Sequence, residues 1–166
     1  MQCTSAEAAK LLRKLSEEKA ALESQEAQSC TFRAAVNEDI GTARPEYDYA
    51  ETQAKLAALD EKIRTVKHAV NTFNLTHEVP GFNMTIDMML VYIPQLTKKR
   101  QKLSVMANRL AKIREVVRVA GVIEYTYANY DIEQAKKDYD AVTDELSRAQ
   151  TALDVLNNSV KFEINI

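Results

Sequence analysis

Glycine and proline each occur only three times in 166 residues, and that scarcity constrains the fold more than any other feature of the chain. Tight turns and sheet corners draw on those two residues, so few of them means few turns and long elements between turns. Turn-rich β-sandwiches, barrels and doubly wound α/β sheets are thereby excluded. With 46% hydrophobic and 28% charged residues the chain has enough apolar surface for a packed core, which excludes disorder.

The glycines stand at 41, 81 and 121, two of them beside Pro45 and Pro80. The blocks between them share no residue-level similarity, so the even spacing marks punctuation rather than a repeat. Four long helices fit between these marks, over about 5–28, 46–74, 85–116 and 131–159. In the first, Thr4 or Ser5 supplies the N-cap, Glu7 lies in the first turn, and Ala8, Leu11, Leu12, Leu15 and Leu22 are the apolar positions. In the second, Leu56, Leu59, Ile63, Val66, Val70 and Phe73 alternate steps of three and four, the spacing of helices that pack along their length, with Tyr49 ahead of them.

Thr85 caps the third helix, whose seam runs Ile86, Met89, Ile93, Leu96, Arg100, Leu103, Ala107, Leu110, Arg114, Val117, with Pro94 expected to kink it. The fourth opens on Asp131 with Gln134 three residues on, a capping-box pattern. It keeps an unbroken seam from Ile132 through Ala135, Tyr139, Val142, Leu146, Ala149, Leu153 and Leu156 to Val160.

Three stretches alternate with period two and read as short strands, over about 31–37, 122–128 and 161–166. The resulting fold class is mainly α. Long antiparallel helices with heptad seams form a coiled-coil hairpin or bundle as a single domain over 1–166, with a small ancillary sheet. A straight fourth helix carries the last strand about 40 Å from the other two. That predicts pairing of 161–166 with a neighbouring copy, hence a homo-oligomer.

Several function classes find no support. Cys3 and Cys30 have neither disulfide-framework nor zinc spacing, and no signal peptide opens the chain, so a reducing cytoplasm is expected. No stretch is long and apolar enough for a bilayer, so no membrane association is expected. There is no nucleophile triad, Gly-rich phosphate loop or His/Cys cluster, and His68 and His77 are nine apart, so neither enzyme activity, cofactor nor metal is expected.

Charge is informative once divided by segment. The net charge of −2 conceals eight basic and three acidic residues over 77–121, against four and nine over 122–166. Lys98, Lys99, Arg100, Lys102, Arg109, Lys112, Arg114 and Arg118 can form a basic stripe for nucleic acid. Alternatively that helix lies against the acidic row Asp138, Asp140, Asp144, Glu145 and Asp154 of the last helix, which is the preferred reading because antiparallel neighbours are the default. Exposure of Lys98, Lys99, Lys102 and Arg109 on one side would favour nucleic acid. Arg100 and Arg114, on the seam, either take an anionic ligand or lay their stems along apolar surface, the commoner use.

Three smaller groups carry two readings each. Asn71, Thr72 and Asn74 can form a polar pocket with His77, Asn83 and Thr85, or simply satisfy a helix end, which is preferred. Tyr125, Tyr127, Tyr130 and Tyr139 can stack bases, but cross-strand packing is preferred. Met84, Met88 and Met89 read as adaptable core or interface filler.

The stretch Asn71-Thr-Phe-Asn74, then Met84-Thr-Ile-Asp-Met-Met89 opening a helix, resembles the septicolysin-like family of small bacterial proteins. Ser5-Ala-Glu-Ala-Ala-Lys-Leu-Leu12 is similar to that family's first helix, and residues 122–134 to its C-terminal part. Where the family often carries an Arg-Asp pair this chain has Val91, Tyr92, Ile93 and Pro94, so a role tied to that pair is not implied. The resemblance implies a helical coiled-coil fold. The family name points to lysis, yet no segment here suits membrane insertion. The expected role is a self-associating structural or interaction module, with a nucleic-acid-associated module using the basic stripe as the alternative.

Overall fold

The computed structural model describes residues 1–115 and 121–166. The fold is mainly α with small two-stranded antiparallel sheets. In chain order the elements are β1 (Gln2–Thr4), α1 (Ser5–Ser29), α2 (Ile40–Ala43), α3 (Tyr49–Thr76), β2 (Glu78–Val79), β3 (Met84–Thr85), α4 (Ile86–Ala107), β4 (Lys112–Arg114), β5 (Tyr125–Tyr127), α5 (Ile132–Ser159) and β6 (Lys161–Glu163). The chain, read above as one domain, divides into two compact units, one of Met1–Leu75 with Asn157–Ile166 and one of Thr76–Leu156.

Unit one is built on α1 and α3. Lys19 pairs with Asp60 at 2.7 Å, and the Glu26 carboxylate accepts the Gln53 amide at 2.7 Å. Moving forward along α1 means moving backward along α3, so the two are antiparallel. Ala8, Leu15 and Val66 form the buried core with Cys3 and Ile164, flanked by Leu11, Leu12, Leu59, Ile63 and Val70. Thr4 caps α1 with the full reciprocal pattern: its hydroxyl accepts the Glu7 N–H at 3.2 Å and its own N–H donates to the Glu7 carboxylate at 2.8 Å. Asp48 opens α3 by accepting the Glu51 N–H at 2.9 Å. Tyr49, ahead of the seam, is exposed.

Strand β6 pairs with β1 of the same chain, Cys3 opposite Phe162. That corrects the expectation of pairing with a neighbouring copy. The strand that takes β6 is only three residues long, too short to show alternation, and the Thr4 cap turns the chain from it directly into α1. Residues 31–37, expected as a strand, are exposed coil. Among the described residues no strand pairs with them, and their polar groups close locally instead: the Glu38 N–H donates to the Ala35 carbonyl and the Glu38 carboxylate accepts the Ala35 N–H, both at 3.0 Å.

Unit two is built on α4 and α5. Tyr92 of α4 hydrogen-bonds Glu145 of α5, and Tyr130, just before α5, donates to the Met106 carbonyl at 2.9 Å near the end of α4. These links again run in opposite directions, so the pair is antiparallel. Thr85 caps α4, accepting the Met88 N–H at 3.3 Å. Asp131 caps α5 through the Glu133 and Gln134 N–H groups at 2.9 and 3.2 Å, while the Gln134 side chain donates to Asp138 rather than closing the box. Ile86, Met89, Leu96 and Ala107 are buried on α4, and Ala135, Val142, Leu146, Ala149, Leu153 and Leu156 on α5. The β2–β3 hairpin turns through Gly81 and Asn83 at φ 82° and 49°, the left-handed backbone these residues adopt at least cost.

The third helix ends at Ala107, not near 116. Asn108 stops it by directing both its N–H and its side-chain amide at the Ser104 carbonyl, at 3.2 and 2.8 Å. Leu110 and Arg114, read as the seam's continuation, therefore leave the helix. Lys112–Arg114 instead becomes β4 and pairs with β5, shorter than the 122–128 expected. Val117 and Arg118 lie outside the described residues.

Candidate functional site

The exposed cations of the expected stripe belong to unit two. Lys98, Lys99 and Lys102 are exposed on α4. At 3.6 residues per turn Lys98 and Lys102 stack one turn apart with Lys99 beside them, so they share a side. Arg109 follows the Asn108 stop and is exposed, and Arg100 is half-buried on the seam side. Among the described residues none of these cations makes an ion pair, with the acidic positions of α5 or elsewhere. Among the described residues the basic positions of α4 therefore make no close ion pair with α5. Among the described residues the two helices are joined through side chains by Tyr92 and Glu145 instead, and this acceptor, with burial, raises the tyrosine's pKa.

The hairpin of β4 and β5 follows α4 in the chain. Its register sets Lys112 opposite Tyr127, Ile113 opposite Thr126 and Arg114 opposite Tyr125. Successive residues of a strand point to opposite faces, so Lys112, Arg114, Tyr125 and Tyr127 share one face. The Lys112 ammonium lies 3.9 Å from the Tyr125 ring centre and 5.4 Å from that of Tyr127, a cation held by two rings. Lys112 and Arg114 were expected on a helix. Their alternation with Ile113, facing the alternating Tyr-Thr-Tyr of β5, is the signal that could have placed them on a ribbon.

The remaining candidates stand elsewhere along the chain. Asn71, Thr72 and Asn74 lie in the last turns of α3. Asn83 takes the left-handed backbone of its turn, and the Thr85 hydroxyl caps α4. His68 is exposed and His77 half-buried. Tyr130 and Tyr139 are half-buried, Met89 is buried and Met88 exposed. Among the described residues no group of three or more His, Cys, Asp or Glu could hold a metal ion. No helix of the described residues is long and apolar enough to cross a membrane.

Two recesses were not foreseen. One of about 280 Å³ in unit one is lined by Glu26, Tyr47, Asp48, Glu51 and Lys55 among others. Four of its polar groups are engaged in pairs: Tyr47 donates to Glu26, which also accepts from nearby Gln53, and Lys55 pairs with Glu51, each at 2.7 Å. The other, about 350 Å³ on α4, is lined by Met84, Asp87, Met88, Val91, Tyr92 and Gln95 and is open and mostly apolar.

No family model matches the chain. No curated protein matches it either. Among solved structures it is similar to that of a functionally unknown conserved protein from Corynebacterium diphtheriae, at 18% identity and a TM-score of 0.59, over 98% of this chain and 100% of that one. At that identity the likeness shows a shared fold and carries no activity across.

Proposed function

We propose that the chain is a non-enzymatic, nucleic-acid-associated module that meets phosphate backbone with the basic surface of unit two. The observation that supports it is the exposure of Lys98, Lys99 and Lys102 on one side of α4, with no close ion pair among the described residues. Cations left in solvent draw in phosphates, and the release of condensed counterions then favours binding. Pairing with the acidic row of α5 would have used the same charges up. Retention on immobilised DNA or RNA at rising salt tests this reading. The wild-type chain is expected to bind with a steep salt dependence. A Lys98→Gln, Lys99→Gln, Lys102→Gln variant is expected to bind more weakly, with a salt slope on duplex that flattens by about 0.9 for each phosphate no longer neutralised. Equal retention of both proteins would refute the reading.

A second reading, a self-associating interaction module, is favoured by the apolar recess on α4. Met88 and Val91 at its rim are exposed, as is neighbouring Leu90. Exposed apolar surface grouped in this way fits a protein contact. The β6 strand no longer supports this reading. Light scattering across a concentration series tests it, with Val91→Lys expected to abolish any dimer. The resemblance to the septicolysin-like proteins, and a cytoplasmic setting, accord with either reading.

A further inference from the structure

Building on the nucleic-acid reading, we infer that the β4–β5 ribbon takes single-stranded nucleic acid, bases stacking on Tyr125 and Tyr127 while Lys112 and Arg114 meet the phosphates between them.

The ribbon separates its charges by face. Lys112 and Arg114 project from one side of β4, and Tyr125 and Tyr127 from the same side of β5. The ladder continues one step further, the Glu115 N–H donating to the Glu124 carbonyl at 2.9 Å. By the same alternation both carboxylates then belong to the opposite face, where Glu115 accepts the hydroxyl of Thr126. One face is thus basic and aromatic and the other acidic and apolar, with Ile113 among the second set.

The aromatic pair is open. Tyr125 is 40% and Tyr127 61% exposed, and the rings stand 6.3 Å apart with their planes tilted by 50°. Splayed rings of this kind do not cover each other, in contrast to a closed stack. The Lys112 ammonium lies over the Tyr125 ring, 3.9 Å from its centre, and 5.4 Å from the centre of Tyr127, so a base that stacks on that face of Tyr125 displaces it toward the phosphates.

This combination discriminates between ligands. Duplex DNA presents phosphates and base edges, which lysine and arginine satisfy, and offers no flat surface to two upright rings. A single strand presents unstacked bases and phosphates alternately, and aromatic rings interleaved with cations match both. An apolar protein partner would cover the rings and bury Lys112 and Arg114 without counter-charges, at a cost in desolvation.

Labelled single-stranded and duplex oligonucleotides of equal length, titrated in fluorescence anisotropy at several salt concentrations, test the inference on the full chain. The wild type is expected to bind the single strand about tenfold or more tightly than the duplex. A Tyr125→Leu, Tyr127→Leu variant is expected to lose about tenfold or more on the single strand, with duplex binding and the salt slope unchanged, because stacking releases no counterions. Tyr127→Phe, which keeps the ring, is expected to retain binding, and helical circular dichroism checks that each variant is folded. If the leucine variant binds the single strand as well as wild type while the Lys98, Lys99, Lys102 variant is weakened, stacking is wrong and the broader reading stands. If neither oligonucleotide is retained, or the chain binds anionic phosphatidylserine vesicles in their place, both are wrong.

Discussion

The rings of Phe73 and Phe162 stack 4.5 Å apart at an angle of 22°, joining the last turns of α3 to strand β6. Phe73 is 2% exposed and Phe162 packs against the core of Cys3, Ala8, Leu15, Val66 and Ile164. Phe73→Ala is expected to destabilise unit one by about 3–5 kcal/mol, the usual cost of emptying a buried phenyl site. Phe162→Ala, at a half-buried position, should cost less, about 2 kcal/mol. A double-mutant cycle in urea should return a coupling of about 0.5–1.5 kcal/mol for the pair. Strict additivity of the two losses would show that the rings contribute only area.

Removing the residues after Asn158 is expected to lower the melting temperature and leave the oligomeric state unchanged. The segment includes Ile164, fully buried, whose N–H donates to the Met1 carbonyl at 2.8 Å, and β6, which pairs with β1. Its loss opens a hole in the core and leaves β1 without a ladder partner. Differential scanning fluorimetry with light scattering separates the outcomes. A truncated chain of undiminished stability and altered mass would reinstate exchange of the strand between copies.

What the residues revealed in advance was what local physics decides. The caps at Thr4, Thr85 and Asp131 were legible because a hydroxyl or carboxylate before an apolar-periodic run has one common use. The seam from Ala135 to Leu156 was legible because only a helix with one buried face keeps that spacing. The end of α4 was not. Leu110 and Arg114 continue the heptad register by coincidence, and the competing signal was a single Asn at 108. Strand partners were illegible for a different reason. Pairing Cys3 with Phe162 depends on long-range closure, which neither stretch encodes by itself. The candidate site was legible as composition and not as geometry. Its cations were legible as residue types, but their exposure and the ribbon that joins Lys112 to Tyr125 and Tyr127 emerge only in three dimensions.

Acid should loosen the start of α1. The Thr4 N–H bonded to Glu7, with the Thr4 side chain and nearby Lys161 and Lys10 adding to it, holds this carboxyl below its ordinary value near 4.5. A carboxyl with a depressed folded-state pKa contributes its stability fully above the unfolded value, and loses it as pH falls through the folded value. The contribution is therefore expected in full at neutral pH and to fade below about pH 4.5. Glu7→Gln should be less stable than wild type at pH 7, and the gap should close as pH drops toward 3, read by urea titration at each pH. A gap that stays constant across that range would show that Glu7 acts without its charge.

Alkali should act on the other end of unit one. The Tyr47 hydroxyl donates to Glu26 at 2.7 Å, and that bond, with some burial and the carboxylate's charge, pushes its pKa up to about 12 from an ordinary 10. Ionising the phenol would remove the donor and set two negative charges side by side. A raised folded-state value means the contribution is whole below pH 10 and is lost as pH climbs from 10 to about 12. Absorbance at the phenolate band should therefore resolve a late-titrating fraction among the seven tyrosines, to which Tyr92, raised by its bond to Glu145, also belongs. Tyr47→Phe should delete one tyrosine from that late fraction. Glu26→Gln should move the same tyrosine back toward its ordinary value while keeping the total count. A late fraction left undiminished in the phenylalanine variant would mean that the Tyr47–Glu26 bond is not held in solution.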